Sequence, residues 1–104
     1  MTNTPSPHAV AAQLLRTIAH PLRLAILCHL QQQPRNVGEL ISLTGANQSN
    51  LSQHLAKLRL SSIIGCVRRQ QHVYYHIQQA EIGQLIDLLY TLYCDDADVK
   101  ERLP

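Results

Sequence analysis

Apolar residues recur at helical spacing along most of the chain and switch to a two-residue alternation only once. Val10, Leu14, Leu15 and Ile18 fall on one side of a first helix expected over about residues 7–18, and Pro21 suits the first turn of a second running to about Gln32. The run Leu22 to Leu30 is apolar nearly all round, which predicts that the second helix is the central buried one. Gln33-Pro34-Arg35-Asn36 breaks it. A short periodic stretch from Val37 is ended by Gly45, and Asn47 is a suitable N-cap for a fourth helix. In that fourth helix, at about 100° per residue, Leu51, Leu55 and Leu58 share a narrow stripe while Ser49, Asn50, Gln53 and Lys57 gather on the other side. After Ser61-Ser62 the period becomes extended. Ile63 to Arg69 and Val73 to Ile77, flanking Gln70-Gln71-His72, predict a β-hairpin. A last helix, about Ala80 to Cys94, carries Ile82, Leu85, Ile86, Leu89, Leu92 and Tyr93 at helical spacing, with Leu88 and Tyr90 widening the stripe.

This order predicts a mainly α domain with a small β-hairpin, ααααββα, in which two helices joined by a tight glycine-containing turn precede a hairpin. That is the plan of a winged helix-turn-helix. Its fourth helix then presents Gln48, Ser49, Asn50, Ser52, Gln53 and His54, able to donate to base edges, while Lys57, Arg68, Arg69 and His72 suit a phosphate backbone or a minor groove. A polar helix face is more often a plain solvated surface, and adjacent strand arginines often only protect a sheet edge. The helix-turn-helix context and the position of the arginines near a hairpin tip favour the DNA reading. The last helix is too widely apolar for so small a domain to cover, which predicts a homodimer packed through the first and last helices.

Composition and charge sharpen the picture. A chain of 104 residues, 45% hydrophobic and 15% charged, is one small globular domain, and with neither Phe nor Trp its core must be built from Leu, Ile, Val and Ala. The net charge of +2 hides a segregation: up to Ile77 seven lysines and arginines face one acid, Glu39, whereas from Gln78 onward two bases face six acids. A polyanion would therefore meet the basic part and be repelled by the tail. The expected layout is a disordered lead over 1–6, the winged domain over 7–94 and an acidic tail over 95–104. No secretory signal and no membrane-spanning apolar run is present, so a cytoplasmic protein without a disulfide framework is expected from its three cysteines, Cys28, Cys66 and Cys94. No Cys-x-x-Cys pair or phosphate-cradling glycine loop stands out and the six histidines lack ligand spacing, so neither an enzyme, a cofactor nor a metal is expected. A winged-helix module that binds proteins remains an alternative.

Ala19-His20-Pro21-Leu22-Arg23-Leu24, Gln48-Ser49-Asn50-Leu51-Ser52-Gln53-His54-Leu55 and Val73-Tyr74-Tyr75 resemble, in order and spacing, the ArsR/SmtB transcriptional repressors. The resemblance spans residues 12–94. It implies a homodimeric winged-helix repressor that leaves an inverted-repeat operator in double-stranded DNA when an inducer binds. The family's thiolate metal site would fall on Glu39-Leu40-Ile41-Ser42-Leu43, and its last-helix metal site on Gln79, Glu81, Leu92 and Asp95; neither set offers suitable ligands. Ile26-Leu27-Cys28 and Leu92-Tyr93-Cys94 instead resemble the subgroup containing BigR, SqrR, YgaV and HlyU, in which two such cysteines sense persulfides and related reactive sulfur. By that resemblance Cys28 and Cys94 form the redox-sensing pair and Cys66 is a strand residue. Read from the residues alone, Cys28 in an apolar helix is most simply a small core side chain, and Cys94, beside Asp95 and Asp96 at a helix end, is poorly placed to become a thiolate. Other oxidants, or a metal held partly by these thiols, stay open as inducers.

Overall fold

A computed structural model of the chain describes residues 4–93; Cys94, the acidic tail and the first three residues of the lead lie outside the described residues. The elements run α1 (Pro7–Ile18), α2 (Pro21–Gln32), α3 (Val37–Thr44), α4 (Gln48–Leu60), β1 (Ile64–Arg69), β2 (His72–Ile77) and α5 (Ala80–Tyr93). This is the winged helix-turn-helix order expected from the pattern.

Local chemistry accounts for most of the boundaries. Ser6 caps α1, its side chain accepting from the Ala9 N–H at 3.1 Å, and Pro7 and Pro21 occupy the first helical turns, where a missing N–H costs nothing. Asn36 and Glu39 form a reciprocal capping box on α3, Asn36 Oδ1 accepting from the Glu39 N–H at 2.8 Å and Glu39 Oε1 from the Asn36 N–H at 3.0 Å. Gly45 ends α3 with a φ of 75°, a left-handed conformation that glycine adopts without a Cβ clash. Asn47 then caps α4 through the Asn50 N–H. At the other end of α4 the Ile63 N–H returns to the Leu58 carbonyl and the Ser62 N–H to the Arg59 carbonyl, a Schellman closure in which Ser62 takes the left-handed position with φ 60°.

The core consists of Ile and Leu, as the missing Phe and Trp require. Ile26, Leu27 and Leu30 of α2 pack with Leu40 of α3, Leu51, Leu55 and Leu58 of α4, Ile63 and Ile64 at the start of the wing, and Ile82 and Ile86 of α5. α2 touches α3, α4, α5 and β2, which makes it the central helix. α1 is only partly covered within one subunit: of its apolar side Ile18 is buried, Leu14 is half-buried, and Val10 and Leu15 stand 55% and 54% exposed. On α5, Leu88, Tyr90 and Tyr93 are likewise exposed.

The wing is tighter than the sequence suggested. β1 and β2 pair antiparallel with Arg69 opposite His72, so His72 belongs to the second strand and the turn is only Gln70-Gln71, with Gln70 at φ 58° as in a type II′ turn. Ile63 precedes the first strand. Arg35 adds an isolated bridge to Tyr75, each donating its N–H to the other's carbonyl at 3.0 and 2.8 Å. The segment read as a simple breaker between α2 and α3 therefore also fastens the wing to the helical core.

Candidate nucleic-acid interface and cysteine crevice

α4 is docked by Leu51, Leu55 and Leu58, and this leaves Gln48, Ser49, Asn50, Ser52, Gln53 and Lys57 exposed. The N-terminus of α4, where Gln48, Ser49 and Asn50 are all exposed, is a further source of positive potential. Arg68, Arg69 and His72 are exposed at the wing tip, where His72 meets Tyr74 edge-on with ring centroids 6.3 Å apart. Neutral donors on a helix and cations on a hairpin, with no acid among them, form a surface suited to duplex DNA.

His54 is placed differently from its neighbours. It is half-buried, its ring lies 4.2 Å from that of His20, and its Nδ1 accepts from Arg23 Nε at 3.0 Å. Arg23 also donates through Nη1 to the Thr17 carbonyl at 2.8 Å, and His20 Nδ1 caps α2 by accepting from the Leu22 N–H. An acceptor Nδ1 makes neutral His54 a donor at Nε2, so what it can offer to DNA is one N–H. Partial burial, with the charges of His20, Arg23 and Lys57, holds His54 below the ordinary histidine range. Burial, and then the Arg35 charge, does the same for His29, whose Nδ1 is buried without a hydrogen-bond partner among the described residues.

These lowered values set a pH dependence. An unfolded histidine takes up a proton near its ordinary pKa of about 6.5, whereas in the folded chain both groups stay neutral to lower pH. The unfolded state thus binds more protons in that window, and stability is lost as pH falls from about 6.5 through the lowered native values. We expect the melting temperature to decline between pH 7.5 and 5.5, and His29→Gln with His54→Gln to flatten that decline. An equally steep decline in the double variant would remove these two groups as its cause.

Cys28 is half-buried on α2 and lines a crevice of about 270 Å³ together with Gln31 and Gln32 of α2 and Ile86, Asp87 and Tyr90 of α5. Gln31 Nε2 donates to Asp87 Oδ2 at 3.0 Å across the two helices. Gly83 leaves room for the Gln31 amide: a Cβ there would lie 2.5 Å from Gln31 Oε1, so the amide would have to shift. Cys94 follows Tyr90 by four residues in sequence but lies outside the described residues. Cys66 sits on β1 opposite Tyr75, in the wing. Among the described residues no three of His, Cys, Asp and Glu come together as a metal-binding group.

Two features of this site escaped the sequence. Arg23 and His20 lie within the Ala19 to Leu24 motif, yet nothing in the spacing told that they would reach His54, 31 and 34 positions away. The Gln31–Asp87 contact joins positions 56 apart and left no local signal.

Comparison with known proteins agrees with this architecture. Residues 20–64 match the family described as bacterial regulatory protein, arsR family. The biofilm growth-associated repressor of Xylella fastidiosa is 40% identical over 80% of this chain and 73% of its own length. The transcriptional activator HlyU of Vibrio cholerae is 42% identical over 83% of this chain and 80% of its own. Among solved structures, HlyU from Vibrio cholerae superposes with a TM-score of 0.82 at 39% identity, covering 88% of this chain and all of that one. The transcriptional repressor BigR from Xylella fastidiosa gives 0.79 at 37% identity, covering 86% and 91%. With the fold shared and the identity extending over most of both chains, this chain belongs to the ArsR family of bacterial regulatory proteins.

Proposed function

We propose that the protein is a cytoplasmic, homodimeric repressor that binds an inverted-repeat operator in duplex DNA and is released when persulfides or polysulfides modify Cys28 and Cys94. The DNA half of this reading is carried by one observation: the exposed face of α4, opposite its buried leucines, is polar, includes Lys57 and has no acid. Repression is supported by the likeness, in sequence and in structure, to the Xylella fastidiosa repressor, although HlyU of Vibrio cholerae is described as an activator. The dimer is supported by the exposed apolar residues of α1 and α5, which in one subunit face solvent.

The sulfur half is supported by the crevice beside Cys28 between α2 and α5, and by the position of Cys94 four residues after Tyr90, which lines that crevice. The chemistry closes with the donor as sole oxidant. The Cys28 thiolate takes the outer sulfur of R–S–SH and releases the thiol RSH, and Cys94 does the same with a second donor. The Cys94 persulfide anion then attacks the Cys28 sulfur and expels HS⁻, leaving a three-sulfur bridge between the helices. A covalent tie between the central helix and the last helix can shift two recognition helices relative to each other in a dimer.

The DNA reading makes a quantitative expectation. If Gln53 contacts a base bidentately, Gln53→Ala should cost about 1 to 3 kcal/mol on the operator and relax preference at one position. Arg68→Gln or Arg69→Gln should weaken all sequences alike and flatten the salt dependence. Band-shift titrations on operator and random duplex decide between these. Equal loss on both duplexes for Gln53→Ala would remove it from the base-reading set, and a parent protein giving no salt-sensitive band would favour a protein-interaction module.

A further inference from the structure

The helical side of the interface carries a cationic cleft that neither the family match nor the polar face of α4 assigns. Arg16 in the last turn of α1, Arg23 in the first turn of α2 and Lys57 of α4 line one opening of about 270 Å³, with Thr17 and Ser61 beside them. No acidic side chain lines it among the described residues. We propose that this cleft holds a backbone phosphate of duplex DNA, with Arg16 and Arg23 as its guanidinium donors; the inference rests on the DNA-binding reading above.

Both arginines are held by neutral acceptors, and both keep donors to spare. Arg16 donates from Nε and Nη2 to Gln13 Oε1 at 3.4 and 3.0 Å, and its Nη1 makes neither of these bonds. Arg23 is held more firmly: Nε donates to His54 Nδ1 and Nη1 to the Thr17 carbonyl, and its Nη2 takes part in neither. Forks oriented in this way lose little freedom on meeting a phosphate, whose oxygens accept two parallel N–H bonds. At His54, after burial and the charge of His20, the charges of Arg23 and Lys57 also work against protonation. The positive end of the α2 dipole, next to Arg23, adds to it.

Geometry supplies the reason for a phosphate. An α-helix with its side chains is about as wide as the major groove, roughly 12 Å, so a recognition helix seated there is bordered by phosphates on both flanks. His54 lies about 100° round the helix from Gln53, at the centre of the outward face. The cleft adjoins that flank through the Arg23–His54 bond. Cations there meet the sugar-phosphate ridge and not the base edges, so they add affinity and register without sequence preference.

The test is the salt dependence of binding to a random-sequence duplex, followed by fluorescence anisotropy, for the parent, Arg16→Gln, Arg16→Lys and Arg23→Lys. Arg16 is exposed on α1, so its substitution leaves the core untouched. We expect Arg16→Gln to flatten the slope of log K against log salt by about 0.9 for each DNA-bound subunit. Arg16→Lys should restore the slope. Arg23→Lys should keep the slope and lose affinity, because one ammonium cannot bridge His54, Thr17 and a phosphate as the fork does. An unchanged slope in Arg16→Gln sinks the cleft alone, provided the parent binds. A parent with no salt-sensitive binding sinks the DNA reading along with it.

Discussion

Replacing Cys28 or Cys94 with serine is expected to abolish release from the operator while leaving operator binding intact. Each substitution replaces one sulfur with oxygen, and Cys28 lines a crevice with Gln31, Gln32, Ile86, Asp87 and Tyr90, none of them among the residues proposed to meet DNA. A persulfide donor should add sulfur mass across the pair within one parent subunit and lower operator affinity; either serine variant should stay bound after the same treatment. A direct disulfide needs Cα atoms within about 7 Å, and a bridge with an added sulfur reaches further, so a sensor that holds its two thiols beyond that limit should respond poorly to peroxide. Cys66→Ser should respond like the parent, since Cys66 lies on β1 opposite Tyr75 and lines no part of the crevice beside Cys28. Intact-mass spectra paired with band shifts decide the matter. Release of Cys94→Ser by the donor, or a bridge mapped to Cys66, would end the proposed switch.

How much of this was legible in the sequence depended on whether the signal was local. Caps and breakers are local chemistry, so Pro7, Pro21, Gly45 and Asn47 marked helix ends that the structure reproduces. The leucine stripe of α4 was equally plain, because a 3.6-residue period needs only one helix to be read. The wing turn was misplaced by one residue. Gln70 occupies a positive φ that glycine or asparagine usually signals, so its side chain gave no warning that the turn was Gln70-Gln71 and that His72 had joined the strand. Periodicity put Val10 and Leu15 on one face of α1 but did not tell how much of that face the subunit's own core would cover; only Ile18 is buried there. His54 illustrates the same limit from the polar side. Its place in the Gln48 to Leu55 motif suggested a base contact, whereas the fold commits one of its ring nitrogens to Arg23.

A large loss of stability is expected from Leu51→Ala, and the comparison that isolates its cause is Leu60→Ala at the far end of the same helix. Leu51 is fully buried among the residues that dock α4 against the core, whereas Leu60 is 89% exposed. Both substitutions place alanine in a helix, so propensity changes alike and what differs is the cavity left behind. Leu51→Ala should cost about 2 to 5 kcal/mol, and Leu60→Ala should stay within about 0.5 kcal/mol. In a domain of this size each kcal/mol lowers the melting temperature by roughly 4 to 8 °C. The two proteins should therefore separate widely in a thermal melt run at one fixed protein concentration, a condition that a dimer requires. Function should divide in the same way. Leu51 carries the face opposite Gln53, so truncating it loosens the platform that aims the polar side chains. Operator affinity should then fall more than affinity for random duplex, while the salt slope, set by the untouched cations, should hold. Melting temperatures that coincide for the two variants would mean that α4 is not docked through Leu51, and the assignment of its outward face would fall with it.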